Sequence, residues 1–264
     1  MRRLILGILV ALAGFGASVR ADEKPVRIGV TAGPVAQVVQ FAAGLAKERG
    51  QRVEVVEFTD WVTPNEAVNT GDLDANLFQH GAFLAIQNAR RGTALVQVDP
   101  VGLIAPVGLF SKKVRSLDAV PVGASAAIPN EPLNGARGLR LLEKAGLITL
   151  APGKGLSVSR FDIVANPKKL DIVELDPAQL YRSLDDVTLA MVNLTYLLAA
   201  GGDPNTALLV DRAADDHFVL RFVARQDRKD DPRLRRFVET FKAPEVKAFI
   251  ETKLPGFVPA WPGV

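Results

Sequence analysis

Two histidines, His80 and His217, and no cysteine stand in the 264 residues. Without cysteine there is no thiolate nucleophile, no cysteine-ligated zinc and no iron–sulfur cluster. Gly123-Ala124-Ser125-Ala126-Ala127 lacks the second glycine of a serine nucleophile elbow. Gly153-Lys154-Gly155 lacks the upstream glycine and the hydroxyl residue of a phosphate loop. Asp72-x-Asp74-x-Asn76 opens like a calcium loop, but Leu77 stands where the glycine belongs and Phe83 where the bidentate glutamate belongs. The acidic pairs Asp185-Asp186 and Asp215-Asp216 read as loop and cap residues. A catalytic triad assembles from distant residues and escapes such a scan, yet the thin inventory argues against an enzyme. No metal and no cofactor is expected.

The residue types can be read against the needs of a receptor for a small zwitterion. A carboxylate needs a fixed donor fork, an ammonium needs acceptors, and the rest of the ligand needs a shaped hole. Arg137 falls in the first turn of a helix expected over 134–145, where its guanidinium can take a carboxylate bidentately beside the helix N-terminus. Asn193 ends an apolar strand on its carboxyl side, and its amide is both donor and acceptor. Phe78, His80 and Phe83 form an aromatic group suited to an apolar or thioether side chain. Trp61, Asn130 and Tyr196 are weaker candidates. Each has a structural alternative: Arg137 as a solvated helix residue, Asn193 as a turn former, His80 and Tyr196 as core. His217 reads as structural.

The elements around these residues alternate between strand and helix. Strands are expected at 26–30, 53–58, 73–78, 94–98 and 104–110, with helices from Pro34 to about Arg49, over 64–70 and over 81–91. Pro34 suits a first helical position and Gly50 a helix end. A second series follows: a strand at 123–128, the helix capped by Asn134 and closed by Gly146, strands at 172–175, 189–193, 208–210 and 218–224, and a helix from Asp176-Pro177 to Ser183. Helices over 232–241 and 244–253 finish the chain. This order indicates α/β units with largely parallel sheets and helices on both faces. Two such units without a flexible linker suggest two lobes: 22–108 and 209–264 form the first, 109–208 the second. Ligands in such folds lie at strand carboxyl ends, in the cleft between lobes.

Residues 1–21 stand apart. Arg2-Arg3 precede an uncharged apolar run from Leu4 to Phe15, and Val19-Arg20-Ala21 offers small residues at a cleavage site. The run is shorter than the roughly 20 residues of a spanning helix, so the segment reads as a secretory signal cut before Asp22. The chain has 32 Lys+Arg and 29 Asp+Glu, and losing Arg2, Arg3 and Arg20 balances them at 29 each. Net charge then gives no support for a nucleic-acid or anionic-membrane partner. Zero cysteine suits a bacterial periplasm and leaves no thiol for a lipid anchor, so a soluble periplasmic protein is expected.

Several segments, in order along the chain, resemble the NlpA-type substrate-binding family, the methionine-binding proteins of ABC importers. They are GVTAGP (29–34), VVEFTDWVTPNEA (55–67), GDLDANLFQH (71–80), SKKVRSL (111–117), AIPNEPLN (127–134), LLEKAGLI (141–148), IVANPK (163–168), IVEL (172–175) and SLDDV (183–187). The resemblance implies a two-lobed, type II-like periplasmic binding-protein fold with a crossover-strand hinge. It also implies an amino-acid ligand, methionine first, and an ABC permease and ATPase as partners. Arg137 matches the family's carboxylate-binding arginine and Asn193 an asparagine at the ligand's polar end. The segment of Phe78, His80 and Phe83 matches the side-chain pocket, and an aromatic recurs at Trp61.

The chain departs from that pattern at Phe83, Leu133, Leu220 and Ala105, where the family commonly has Tyr, Thr, Asn and a larger polar residue. Each change removes a hydrogen-bonding group, which weakens discrimination among polar ligands. Another small apolar or organosulfur ligand therefore stays open, as does an exported protein serving adhesion or signalling without transport.

Overall fold

The structure is a computed structural model and describes residues 24–211 and 218–263. In chain order the elements are β1 (Val26–Thr31), α1 (Pro34–Glu48), β2 (Val53–Phe58), α2 (Thr63–Thr70), β3 (Ala75–Gln79), α3 (Gly81–Arg91), β4 (Leu95–Ile104), β5 (Val107–Phe110), β6 (Ser125–Pro129) and α4 (Pro132–Lys144). They continue with β7 (Thr149–Leu150), β8 (Ile163–Ala165), β9 (Asp171–Leu175), β10 (Leu189–Asn193), α5 (Leu194–Ala199), β11 (Leu209–Asp211), β12 (Val219–Arg225), α6 (Pro232–Phe241), α7 (Pro244–Lys253) and β13 (Val258–Ala260). His217, the Asp215-Asp216 pair and the signal segment lie outside the described residues.

The first sheet has six strands in the order β13-β4-β12-β3-β1-β2, and the second has five in the order β11-β5-β10-β6-β9. The chain changes sheet between β4 and β5 and returns between β11 and β12. The αβ class read from the pattern stands, but the sheets are mixed rather than largely parallel. β1 runs parallel to β2 and β3, whereas β12 is antiparallel to β3 and β4, and β13 to β4. In the second sheet β6 is parallel to β9 and β10, while β5 is antiparallel to β10 and β11. The reason lies in the connections. A helical crossover returns a strand parallel to its neighbour. β5 follows β4 after only Ala105 and Pro106, and β12 enters the first sheet from the second.

Side-chain alternation decides what each face buries. On β12, Phe222 joins the core under α1, α6 and α7, while Val223 joins a smaller cluster with Val68 of α2 and Leu84 of α3. β10 is buried on both faces. Leu189 and Met191 pack with the α4 core, and Ala190 and Val192 join the core of the first sheet. Its unbroken apolar run follows from that double burial.

Several local expectations shift. The strand expected at 104–110 is broken at Ala105-Pro106. The helix expected from Asp176-Pro177 is two short 3-10 turns, Pro177–Gln179 and Arg182–Asp185. The six-residue α5 carries too little periodicity to be read from sequence.

Candidate functional site

At the junction of the two sheets lies a cavity. It is lined by Thr31, Val35, Trp61, Phe78, Gln79, His80, Phe83, Ala105, Asn134, Arg137, Asn193, Thr195, Phe218 and Leu220. Phe78, His80, Phe83, Trp61, Arg137 and Asn193, separated by up to 132 positions in the chain, thus meet in one place.

Arg137 is buried on α4. Its Nε donates to Asp211 Oδ2 at 3.2 Å, and its guanidinium lies 4.1 Å from the centre of the Phe218 ring. The helix that carries it does not begin as expected. Glu131, not Asn134, is the N-cap: its carboxylate accepts from Leu133 N at 3.0 Å and Asn134 N at 2.9 Å. Asn134 Nδ2 donates to the same carboxylate at 2.7 Å, Gly135 N donates to Glu131 O, and Pro132 has no N–H. The first-turn donors expected to help hold an anion are therefore engaged by Glu131.

Asn193 sits at the N-cap of α5 but makes no capping bond with its side chain. Among the described residues, Asn193 Oδ1 and His80 Nε2 are buried side-chain atoms without a hydrogen-bond partner. Both residues line the cavity.

His80 caps α3, its Nδ1 accepting from Phe83 N at 3.2 Å. That bond places the ring proton of the neutral form on Nε2. Burial, then the positive charge of Arg137, pushes the His80 pKa down to about 4, with the Asn134 side chain opposing in part. A free imidazole titrates near 6.5. The unfolded chain therefore binds the extra proton between these values. The stability contributed by the neutral buried ring is complete above about pH 6.5 and is lost as pH falls to about 4, a change of about 3 kcal/mol. His80→Asn keeps an acceptor for Phe83 N and removes the titration. Melting curves from pH 4 to 7 are expected to show a shallower loss of stability in acid for this variant; parallel curves would refute the assignment.

An aromatic wall continues from His80. Its ring stands edge-on to Phe218 at 5.4 Å and to Phe83 at 6.1 Å. Phe83 is edge-on to Phe78 at 6.0 Å and to Trp61 at 5.9 Å. Trp61 is set by Asp60, which accepts from Val62 N and Thr63 N, both at 2.7 Å. Tyr196 does not line the cavity; it backs Trp61 at 5.5 Å, and burial pushes its hydroxyl pKa up. Asn130 is also outside: it is exposed at the end of β6, with its N–H on Leu175 O.

Sequence reading passed over a buried amide network beneath this wall. Asn65 Nδ2 donates to Gln79 Oε1 at 2.9 Å, Asn76 Nδ2 to Asn65 Oδ1 at 2.9 Å and Gln79 Nε2 to Asn76 Oδ1 at 3.0 Å. It ties α2 to β3 and fixes the strand end from which Phe78 and His80 project. Asn76 and Gln79 stand within GDLDANLFQH, and that pairing was the available signal. Gly33 is another such residue. Its φ of 97° lets Thr31 and Val35 turn toward the cavity, and a Cβ there would stand 3.0 Å from Ala199 Cβ. Ala105 and Leu220, two of the departures, line the cavity, whereas Leu133 does not.

Two mixed sheets, two crossings of the chain between them and a lined cavity at their junction define a periplasmic substrate-binding-protein fold. The chain belongs to the NlpA lipoprotein family, whose model matches residues 26–261. It is 42% identical over 240 residues to the D-methionine-binding lipoprotein MetQ of Salmonella typhimurium, covering 90% of this chain and 88% of the relative. A nutrient binding protein from Burkholderia cenocepacia, solved bound to methionine, superposes with a TM-score of 0.84 at 40% identity, covering 89% of this chain and all (100%) of that one. An ABC transporter periplasmic substrate-binding protein from Coxiella burnetii gives 0.83 at 42% identity, with 89% and 100% covered. These relatives are named as binding proteins.

Proposed function

We propose that this protein is the solute-binding component of an ABC importer and takes an amino acid, methionine first, into the cavity between two lobes. The observation that carries this reading is the cavity's inventory. It has one guanidinium fork, an unengaged amide oxygen and a wall of aromatic rings. Arg137 holds the carboxylate bidentately. Asn193 Oδ1 accepts from the ammonium, and Phe78, His80, Phe83, Trp61 and Phe218 surround the thioether. The lobe bounds shift from the expected 22–108, 109–208 and 209–264: β5 and β11 both belong to the second sheet, so the elements up to Ile104 and from Val219 onward make one lobe and those from Val107 to Asp211 the other. The lobes close about the two crossings, and the closed form docks on the permease.

Export through the segment 1–21 places the mature chain, starting at Asp22, in the periplasm. Relatives such as MetQ are named lipoproteins. The 264 residues here contain no cysteine, which supports a diffusing receptor without a lipid anchor. Apolar Ala105 and Leu220 in the lining favour, as a second reading, a different organosulfur or apolar ligand on the same scaffold.

One preparation tests these readings. Mass spectrometry of protein from the periplasm gives the mass of the mature chain, expected to begin at Asp22 without added lipid, and the identity of any co-purifying ligand. Calorimetry of the unfolded-and-refolded protein against both methionine enantiomers and other amino acids then ranks them. Saturable methionine binding tighter than for the polar amino acids is the expected result; a heavier acylated chain or no amino-acid binding would refute the corresponding statement.

A further inference from the structure

The loop between β2 and α2 belongs with the first sheet, whereas α5 follows β10 of the second. The two meet at Trp61 and Tyr196, whose rings lie 5.5 Å apart at 33°. Trp61 lines the cavity and Tyr196 does not. On its own side the Trp61 loop is anchored. Asp60 accepts from Val62 N, Thr63 N and Thr63 Oγ1, and Asn76 Nδ2 of β3 donates to Pro64 O at 3.2 Å. The indole therefore stands between a fixed loop and a half-buried ring that comes from the other sheet. α5 meets the first sheet's elements again at its far end: a Cβ on Gly33, just before α1, would stand 3.0 Å from Ala199 Cβ.

We infer that Tyr196 is a positioning residue that governs ligand release: by backing Trp61 across the cleft it holds the indole on the bound ligand, and this ring contact breaks before the ligand leaves. The inference rests on the reading in which the cavity takes an amino acid and the lobes turn about the two crossings. In that motion α5 travels with β10 and the Trp61 loop with β2, so the pair separates on opening and re-forms on closing. Tyr196 touches no ligand and acts through Trp61. An interaction present in the closed form and absent from the open one slows release without changing the ligand's encounter with the open form. A paired aromatic contact is worth about two- to tenfold in an equilibrium.

Stopped-flow tryptophan fluorescence over a series of methionine concentrations tests this. The observed rate gives the association rate constant as its slope and the release rate constant as its intercept. Tyr196→Leu is expected to release methionine about two- to tenfold faster than the wild type, with association within about twofold. Tyr196→Phe keeps the ring and is expected to release at the wild-type rate. Slower association that accounts for the whole loss of affinity would show that Tyr196 merely preforms the cavity and overturn the inference. Equally fast release in Tyr196→Phe, or a lower melting temperature in Tyr196→Leu with both rates unmoved, overturns it too. Tyr196→Met, read in the same way, replaces Tyr196→Leu if the latter gives no cooperative melting transition. Wild-type protein that binds no methionine overturns the amino-acid reading and this inference with it; methionine binding with an unmoved release rate overturns the inference alone.

Discussion

Arg137→Ala is expected to weaken methionine binding by about two to three orders of magnitude, equivalent to about 3–4 kcal/mol. The size follows from where the side chain stands. A charge-assisted bidentate pair in a buried site loses two strong hydrogen bonds together, and the ligand carboxylate is left desolvated without a counter-charge. The engaged N-terminus of α4 offers no substitute, because Glu131 already accepts from Leu133 N and Asn134 N. The same substitution removes the ion-pair partner of Asp211, so the melting temperature falls as well. Arg137→Lys separates the two effects. It keeps a positive charge near Asp211 but loses the planar fork. Stability is expected to recover largely while affinity stays at least about tenfold low. Unchanged affinity in Arg137→Ala would remove the guanidinium from the binding site.

Gly102→Ala is expected to be the most damaging small substitution in the first sheet. A Cβ at Gly102 would lie 1.8 Å from the carbonyl oxygen of Leu220 and 3.1 Å from Val219 Cγ1. The clash is with backbone, so no change of rotamer relieves it and β4 must move off β12. The cost belongs at the upper end of overpacking, about 3 kcal/mol. It falls on the pairing between the two longest strands of the sheet, beside Leu220, which lines the cavity. Thermal melting and calorimetry together should therefore show lower stability and weaker ligand binding. Gly44→Ala is the control. It lies in α1 with open space around it, and replacing a helical glycine by alanine raises stability by up to about 1 kcal/mol. Equal melting temperatures for the two variants would contradict this account of β4 and β12.

Legibility in the sequence followed the range of the interaction responsible. The helices over 232–241 and 244–253 were read at their observed bounds, because a proline at the first turn and an apolar stripe are local signals. Glu131 was missed as the cap of α4. Asp, Asn and Ser are the usual capping residues, and only the fold shows that the Glu131 carboxylate reaches two N–H groups. The mixed sheets were missed for a related reason. The direction in which β12 enters depends on where the chain has been since β4, and no window of residues records it.

For the site, the residue types and the family resemblance brought out Arg137, Asn193, Phe78, His80, Phe83 and Trp61, all of which line one cavity. Nothing in the types alone separated them from Asn130, which the turn after β6 leaves exposed, or from Tyr196, which supports Trp61 from behind. Asp211 carried no signal at all: an aspartate ending a short strand is unremarkable until the strand is seen beside α4.

The sequence by itself determined the α/β class, the family and the chemistry on offer, because composition, periodicity and motif order are properties of the linear chain. Only the tertiary structure decided which amide oxygen lines the cavity without a hydrogen-bond partner, which aromatic rings form the wall and which carboxylate pairs with Arg137. Those are distances between residues up to 157 positions apart, from Trp61 to Phe218, and packing rather than local sequence sets them.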